Sequence, residues 1–277
     1  MKLAFVTGSN RGVGYGIIRR LAKFYGASGD WTICLTARNV ERGQEAVEKL
    51  SSEGLSVKFH QLDITDPESR ENFLTFVRKH HPMGINIAVN NAGIAYKVDS
   101  AVPFGEQAKA TVHTNFSSTI DFTEEFIPLL ANNARVVSIT GSIFLAFLKK
   151  MNKELNRKIT GPMNINELRA FMSEFVKCAE DGTYSDKGWP PNAYAVSKLG
   201  LTKASEIFGE MLKNDTRHII FNSCCPGFLN TELTSHKGTK TIDEGSDTPF
   251  YLATLPPEAQ KPINQFVYDR RVIAWCK

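Results

Sequence analysis

Short runs of β-branched and aromatic residues alternate along the chain with longer stretches in which apolar residues recur every three or four positions. Leu3–Val6, Trp31–Ala37, Val57–Asp63, Ile85–Asn90, Arg135–Thr140, Ile219–Cys225 and Gln265–Tyr268 read as strands. Gly14–Phe24, Val40–Glu53, Pro67–Lys79, Ala108–Leu130, Ala193–Met211 and Glu244–Ala253 read as helices. Asp66-Pro67 supplies a capping side chain and a first-turn proline to the third of them. Strand then helix, repeated, predicts right-handed crossovers and an α/β fold with a doubly wound parallel sheet of about seven strands, helices lying on both faces. Runs such as Ile219-Ile-Phe221, with no polar alternate, suit strands buried on both sides.

One segment breaks the rhythm. From about residue 145 to 191 the chain departs from the alternation before the Ala193 helix begins, and we read this as a helical insertion. Lys149-Lys-Met-Asn-Lys-Glu154 is polar, whereas Ile165, Leu168, Phe171, Met172, Phe175 and Val176 fall on one helical face that must pack on something.

The chain has 277 residues, 42% hydrophobic and 22% charged, which is ordinary globular composition, and residues 1–277 are expected to form a single domain. The formal charge of +4 is not gathered into basic runs interleaved with aromatics, so a nucleic-acid partner is not expected. Five cysteines without C-x-x-C or zinc spacing suit reduced thiols and no metal site. The longest aliphatic and aromatic run, Ile143–Leu148, is far short of the roughly 20 residues that span a bilayer, so no membrane partner is expected either. Met1-Lys2 runs directly into a strand with no leader pattern, and the expected location is cytoplasmic.

Two short patterns carry the chemistry. The first strand enters Thr7-Gly-Ser-Asn-Arg-Gly-Val-Gly14, whose glycines stand at Gly8, Gly12 and Gly14, a G-x-x-x-G-x-G spacing rather than G-x-G-x-x-G. Such a cluster can be no more than a tight turn. At the first βα turn of a doubly wound sheet, however, it stands where a dinucleotide pyrophosphate meets a helix N-terminus, as in Rossmann-type folds. The second strand ends Thr36-Ala-Arg38, with no acid to accept from a ribose 2′-hydroxyl, and Arg11 adds a cation at the same corner. That pair favours NADPH or NADP, the alternative being that Arg38 is a solvated surface residue. Asp63 can accept from an adenine amine or cap a turn. The second pattern, Tyr194 and Lys198, is spaced to share one helical face, where the ammonium is expected to lower the phenol pKa from about 10. Taken alone, such a pair is usually structural.

Thr7-Gly-x-x-x-Gly-x-Gly14, Asn90-Asn-Ala-Gly93, Asn115, Tyr194-x-x-x-Lys198 and Pro226-Gly227 together resemble the short-chain dehydrogenase/reductase family over almost the whole chain. Leu35–Arg38, Phe59–Asp63, Asn90–Ala95, Gly188–Pro190, Cys224–Gly227 and Tyr251–Ala253 look like its monomeric, NADPH-dependent carbonyl reductase branch. The resemblance implies reduction of aldehydes, ketones and quinones, with Tyr194 as proton donor, Lys198 as its partner and ribose ligand, and Asn115 anchoring a water relay. It further implies cofactor contacts at Gly8, Asn10, Arg11, Gly12, Val13, Gly14, Arg38, Asp63, Ile64, Asn90, Asn91, Ala92, Gly93, Pro226, Gly227, Leu229 and Thr231.

The substrate-orienting hydroxyl is ambiguous, because Val137-Ser-Ile-Thr-Gly-Ser142 departs from the family's Asn-hydrophobic-Ser-Ser. Ungapped alignment puts Gly141 there; a one-residue shift selects Ser142, and Thr140 is the alternative. Phe228 and Trp189 are expected to face the substrate. Tyr96, Lys97, Val98 and Gln107 match the region implied to accept a glutathionyl group, and Cys225 is a possible target of electrophilic quinones. The insertion is similar to the segment implied to block subunit pairing, so a monomer is expected. Two other functions stay open: a dehydrogenase specific for a steroid, prostaglandin or alkaloid, and a catalytically silent NADPH-binding regulator.

Overall fold

The computed structural model describes residues 1–97 and 99–276 of the chain. The strands are β1 (Lys2–Val6), β2 (Trp31–Ala37), β3 (Lys58–Gln61), β4 (Ile85–Asn90), β5 (Leu130–Ile139), β6 (Ile220–Cys225), β7 (Phe266–Tyr268) and β8 (Arg271–Val272). They form one sheet in the order β3-β2-β1-β4-β5-β6-β7-β8, parallel throughout except for the antiparallel β7–β8 hairpin. The order reverses between β1 and β4, the switch point at which ligands bind beyond the carboxyl ends of the strands. Side chains of β1 alternate between the faces: Leu3 and Phe5 enter a phenylalanine-rich core with Phe73, Phe122 and Phe126, and Ala4 and Val6 enter the opposite core with Ile17 and Ile18.

The helices are α1 (Gly12–Tyr25), α2 (Val40–Ser52), α3 (Pro67–His80), α4 (Phe104–Val112), α5 (Ser118–Phe126), α6 (Ile143–Leu148), α7 (Lys153–Thr160), α8 (Ile165–Glu180), α9 (Ala193–Met211) and α10 (Ile242–Ala253). Local chemistry starts several of them. Asn39 accepts from the Arg42 amide, Asp66 from Glu68 ahead of Pro67, and Asn192 from Ala195. Asn164 and Glu167 cap α8 reciprocally.

Three departures from the pattern-based reading have physical causes. The helix expected over Ala108–Leu130 starts earlier, at Phe104, and is interrupted by a π turn, His113–Ser117, before Pro128 ends it in a short 3₁₀ turn. An eighth strand, β8, pairs through a tight hairpin in which Asp269 and Arg270 take left-handed φ values of 47° and 59°. The apolar run Ile143–Leu148 forms α6, and part of the polar start of the insertion folds into α7.

The apolar face expected on Ile165–Val176 exists. Leu168, Phe171, Met172 and Phe175 of α8 are buried, and the helix lies across α4 and α9. Close approach needs small residues there: a Cβ on Gly105 of α4 would stand 2.8 Å from the Glu180 Cα, and one on Gly200 of α9 would stand 2.8 Å from the Met172 sulfur.

Candidate active site

The glycine turn and the loop after β4 are built as one unit. Gly8 and Gly12 hold left-handed φ values of 60° and 59°. Thr7 Oγ1 accepts from the amides of Asn91 and Ala92, and Asn91 Nδ2 donates to the carbonyls of Thr7 and Gly8. A Cβ on Gly8 would lie 3.0 Å from the Ala92 Cα, and one on Gly14 would lie 2.4 Å from the Asn91 amide nitrogen, so these two glycines are packing requirements. At Gly12 the nearest heavy atom is Thr231 Cγ2 at 3.9 Å, across open space. No side chain caps α1 and its first turn contains no acid, which leaves its amides and positive dipole end to an anion. These residues fit a dinucleotide phosphate.

At the far corner, Arg38 is exposed, forms no ion pair among the described residues, and has its carbonyl held by Gln61 Nε2 at 3.3 Å. Arg11 differs from expectation, since its guanidinium is already paired with Glu232 in the loop after β6. The corner therefore keeps one unpaired cation and gains a carboxylate that was not expected beside it. Asp63 caps a turn with one oxygen, its Oδ1 accepting from the Thr65 amide and hydroxyl at 2.9 and 2.7 Å. Ile64 is buried beside it, and Asn90 is buried with Oδ1 lacking a protein partner while its Nδ2 donates to Thr123.

Asn115 sits in the π turn, fully buried. Its Oδ1 accepts from the Ile94 amide at 2.8 Å, and its Nδ2 donates to the Ile94 carbonyl and to Ser197 Oγ. A Cβ on Gly93 would lie 3.1 Å from Asn115 Oδ1 and 3.5 Å from Lys198 Nζ, so the π turn, the β4 loop and α9 meet at one point. The Lys198 ammonium is 5.6 Å from the Tyr194 ring centroid and donates to the Ile139 carbonyl at 2.8 Å. That backbone acceptor has no side-chain signature, and neither it nor Glu232 could be read from motif spacing.

The expected acidification of the phenol is not present. Burial pushes Tyr194 up to about 12, with a smaller upward push from Cys225, and burial pulls Lys198 down to about 8. Desolvation is the first cause at both residues, and the nearby Cys225 and Cys224 contribute less.

Beyond β5 the two candidate hydroxyls differ in what they contact. Thr140 is 1% exposed and turns its hydroxyl to the Cys224 carbonyl at 3.3 Å. Ser142 is half-buried at the start of α6, after Gly141 in its open left-handed conformation, and its Oγ accepts from the Cys225 thiol at 3.4 Å. Cys225 is buried, and its sulfur also receives the Gly227 amide at 3.3 Å. Ser142 thus borders Cys225 directly, and Cys225 lies near enough to Tyr194 to push its pKa upward.

The loop after Pro226-Gly227 folds back over this region. Leu229 is buried against Gly245, Thr231 opens the short turn holding Glu232, and Phe228 is 53% exposed. Arg11, Gly93–Ala95, Lys97, Glu232, Leu233, Ser235 and His236 line a cleft of about 590 Å³, within the size range of small-molecule sites. Tyr96 is exposed nearby in sequence, whereas the Gln107 amide is spent on the Val102 carbonyl. Trp189 does not face a site: it is 3% exposed in the core of the insertion, its ring centroid 4.7 Å from that of Phe171 and 5.2 Å from that of Phe175. Its aromatic neighbours on α8 bury it more favourably than a solvated pocket wall would. Val98 lies outside the described residues.

Residues 2–145 match the short chain dehydrogenase family. Over 277 residues the chain is 42% identical to carbonyl reductase (NADPH) 1 of Rattus norvegicus, a match covering 99% of this chain and 98% of that protein. It is 40% identical over 277 residues to carbonyl reductase (NADPH) 3 of Mus musculus, with the same coverage of 99% and 98%. Salutaridine reductase from Papaver somniferum superposes with a TM-score of 0.83 at 27% identity, covering 97% of this chain and 100% of that structure.

Proposed function

This chain belongs to the short-chain dehydrogenase family, within its NADPH-dependent carbonyl reductase branch, and on that premise we propose that it reduces aldehydes, ketones and quinones to alcohols and hydroquinones. When bound, NADPH supplies the hydride. The observation that carries the reading is the convergence of Lys198, Asn115 and Gly93, with Tyr194 one turn earlier on the same helix and Ser142 across Cys225.

In this reading the Ser142 hydroxyl donates to the substrate carbonyl and holds it beside the phenol. Tyr194 then gives its proton to the developing alkoxide, and its raised pKa keeps that proton in place at neutral pH. Lys198 supplies positive charge beside Tyr194, and Asn115 fixes the backbone of Ile94, which lines the cleft. Leu233 lines the cleft, and it, Phe228 in the loop after β6 and Ile143 beside the serine are all exposed; apolar surface of this kind favours varied substrates over one tightly shaped ligand. Lys97 on the cleft wall supports acceptance of an anionic extension such as a glutathionyl group.

We also propose that residues 1–277 act as one domain and as a monomer, because α8 occupies the faces of α4 and α9 that would otherwise be free to pair. NADPH oxidation followed with menadione and an aromatic aldehyde tests the activity. Turnover is expected, with Tyr194→Phe losing about 10²–10⁴-fold; cofactor binding without turnover would favour a silent regulator.

A further inference from the structure

Arg70 of α3 and Glu125 of α5 form a charged pair that the chemistry above does not use. Arg70, in the first turns of α3, is only 6% exposed. Its Nε and Nη2 grip the Glu125 carboxylate of α5 at 2.9 Å each, and its Nη1 donates to the Ile64 carbonyl at 2.9 Å. Next to it, Ser69 Oγ accepts from the Asp63 amide and donates to Gln61 Oε1, both at 2.9 Å. The segment from Gln61 to Ile64 leaves the carboxyl end of β3, so two consecutive residues of α3 hold it from behind by its backbone. A planar guanidinium can bind a carboxylate bidentately and still direct a third N–H elsewhere, which a lysine cannot do. Glu125 fixes the plane of the guanidinium, and Ile64 receives the remaining donor.

We propose that Arg70, oriented by Glu125, is a positioning residue for the adenine half of the cofactor site, acting through the Ile64 carbonyl. The proposal rests on the cofactor reading in one respect, that the Asp63–Ile64 segment, which the family resemblance implies contacts the cofactor, walls its adenine. Without the Arg70 donor, the Ile64 carbonyl is a buried acceptor with no partner and the wall relaxes toward another one. Among the described residues, the hydrogen bonds of Arg70 go to Glu125 and Ile64 and none reaches α9, β5 or the loop after β6.

Calorimetric titration of the full chain carrying Arg70→Gln separates the two ends. Three probes are used: NADPH, adenosine 2′,5′-bisphosphate for the adenine half and reduced nicotinamide mononucleotide for the other. Kd for NADPH and for the bisphosphate should rise by the same factor, about tenfold, the usual size of a lost charge-assisted hydrogen bond. Kd for the mononucleotide and kcat at saturating NADPH should stay within about twofold. Unchanged NADPH affinity, or an equal loss for both fragments, would overturn the proposal and leave Arg70 as a stabiliser of the fold. Glu125 is partly exposed and can turn to water when unpaired, so the variant is expected to fold. Should it not, Glu125→Gln, which frees the guanidinium to rotate, should show the same asymmetry in smaller measure; symmetrical or absent effects would again overturn the proposal. Failure of the unsubstituted chain to bind NADPH would instead refute the cofactor reading itself.

Discussion

Burial acts on Tyr194 and Lys198 in opposite directions because it disfavours a charge of either sign. The phenol holds its proton up to about 12 and the ammonium gives up its proton near 8, so between these values the site has a neutral donor and a neutral lysine. Reduction uses the protonated form of both. The rate of reduction, read as kcat/KM against pH, should therefore be level on the acid side of 8 and fall as pH rises through about 8, with Lys198 setting the limb. A plateau extending to pH 10 would show that the lysine charge is not needed. Ser142→Ala should lose about 100-fold, the usual cost of one donor to a developing oxyanion. Thr140→Val, at a hydroxyl committed to the Cys224 carbonyl, should stay near normal; the reverse ranking would transfer the orienting role to Thr140. Tyr194, Lys198 and the glycine turn were legible in the sequence because each is a pattern of near neighbours. The titration order was not, since it comes from burial by distant elements, and the Arg11–Glu232 pair joins residues far apart in the chain.

Elements were legible where one local cause dominates. Helix α9 runs Ala193–Met211 as expected, with Asn192 capping its start, and β2 and β4 match their apolar runs end to end. The reading failed where a long-range need reshapes a periodic segment. The π turn that carries Asn115 leaves the apolar spacing around it nearly intact, so Ala108–Leu130 looked continuous. Trp189 misled because a large aromatic next to a catalytic helix serves a core as well as a pocket. In the structure it completes the interior of the insertion with Phe171 and Phe175. Phe171→Ala removes a fully buried ring from that interior and should cost about 3–5 kcal/mol of stability. Denaturant unfolding would measure it. If the insertion is a cover and not a working part, Kd for NADPH should hardly move; a large loss of affinity at unchanged stability would make α8 part of the site.

At the scale of the whole molecule, the eight strands form one sheet whose two faces carry separate cores, and the binding cleft opens at its carboxyl edge. β1 and β4 are central to that sheet and contribute side chains to both cores, so loss of either face removes the support of the glycine turn and of Asn90–Gly93. Cooperative melting as a single unit follows from this arrangement. A ligand that binds only the folded form then stabilises all of it: at 100 times Kd, NADPH should add about 2.7 kcal/mol, a rise in Tm of about 5 °C for a chain of this size. NADH at the same concentration should do less, since the corner at Arg38 has a cation and, at the end of β2, no acid for a 2′-hydroxyl. Light scattering on the same sample should give the mass of one chain, α8 having already covered α4 and α9. Two resolved transitions, only one of them moving with NADPH, would mean that the insertion folds apart from the sheet. In that case the monomer proposed above could not rest on the insertion's contact with α9.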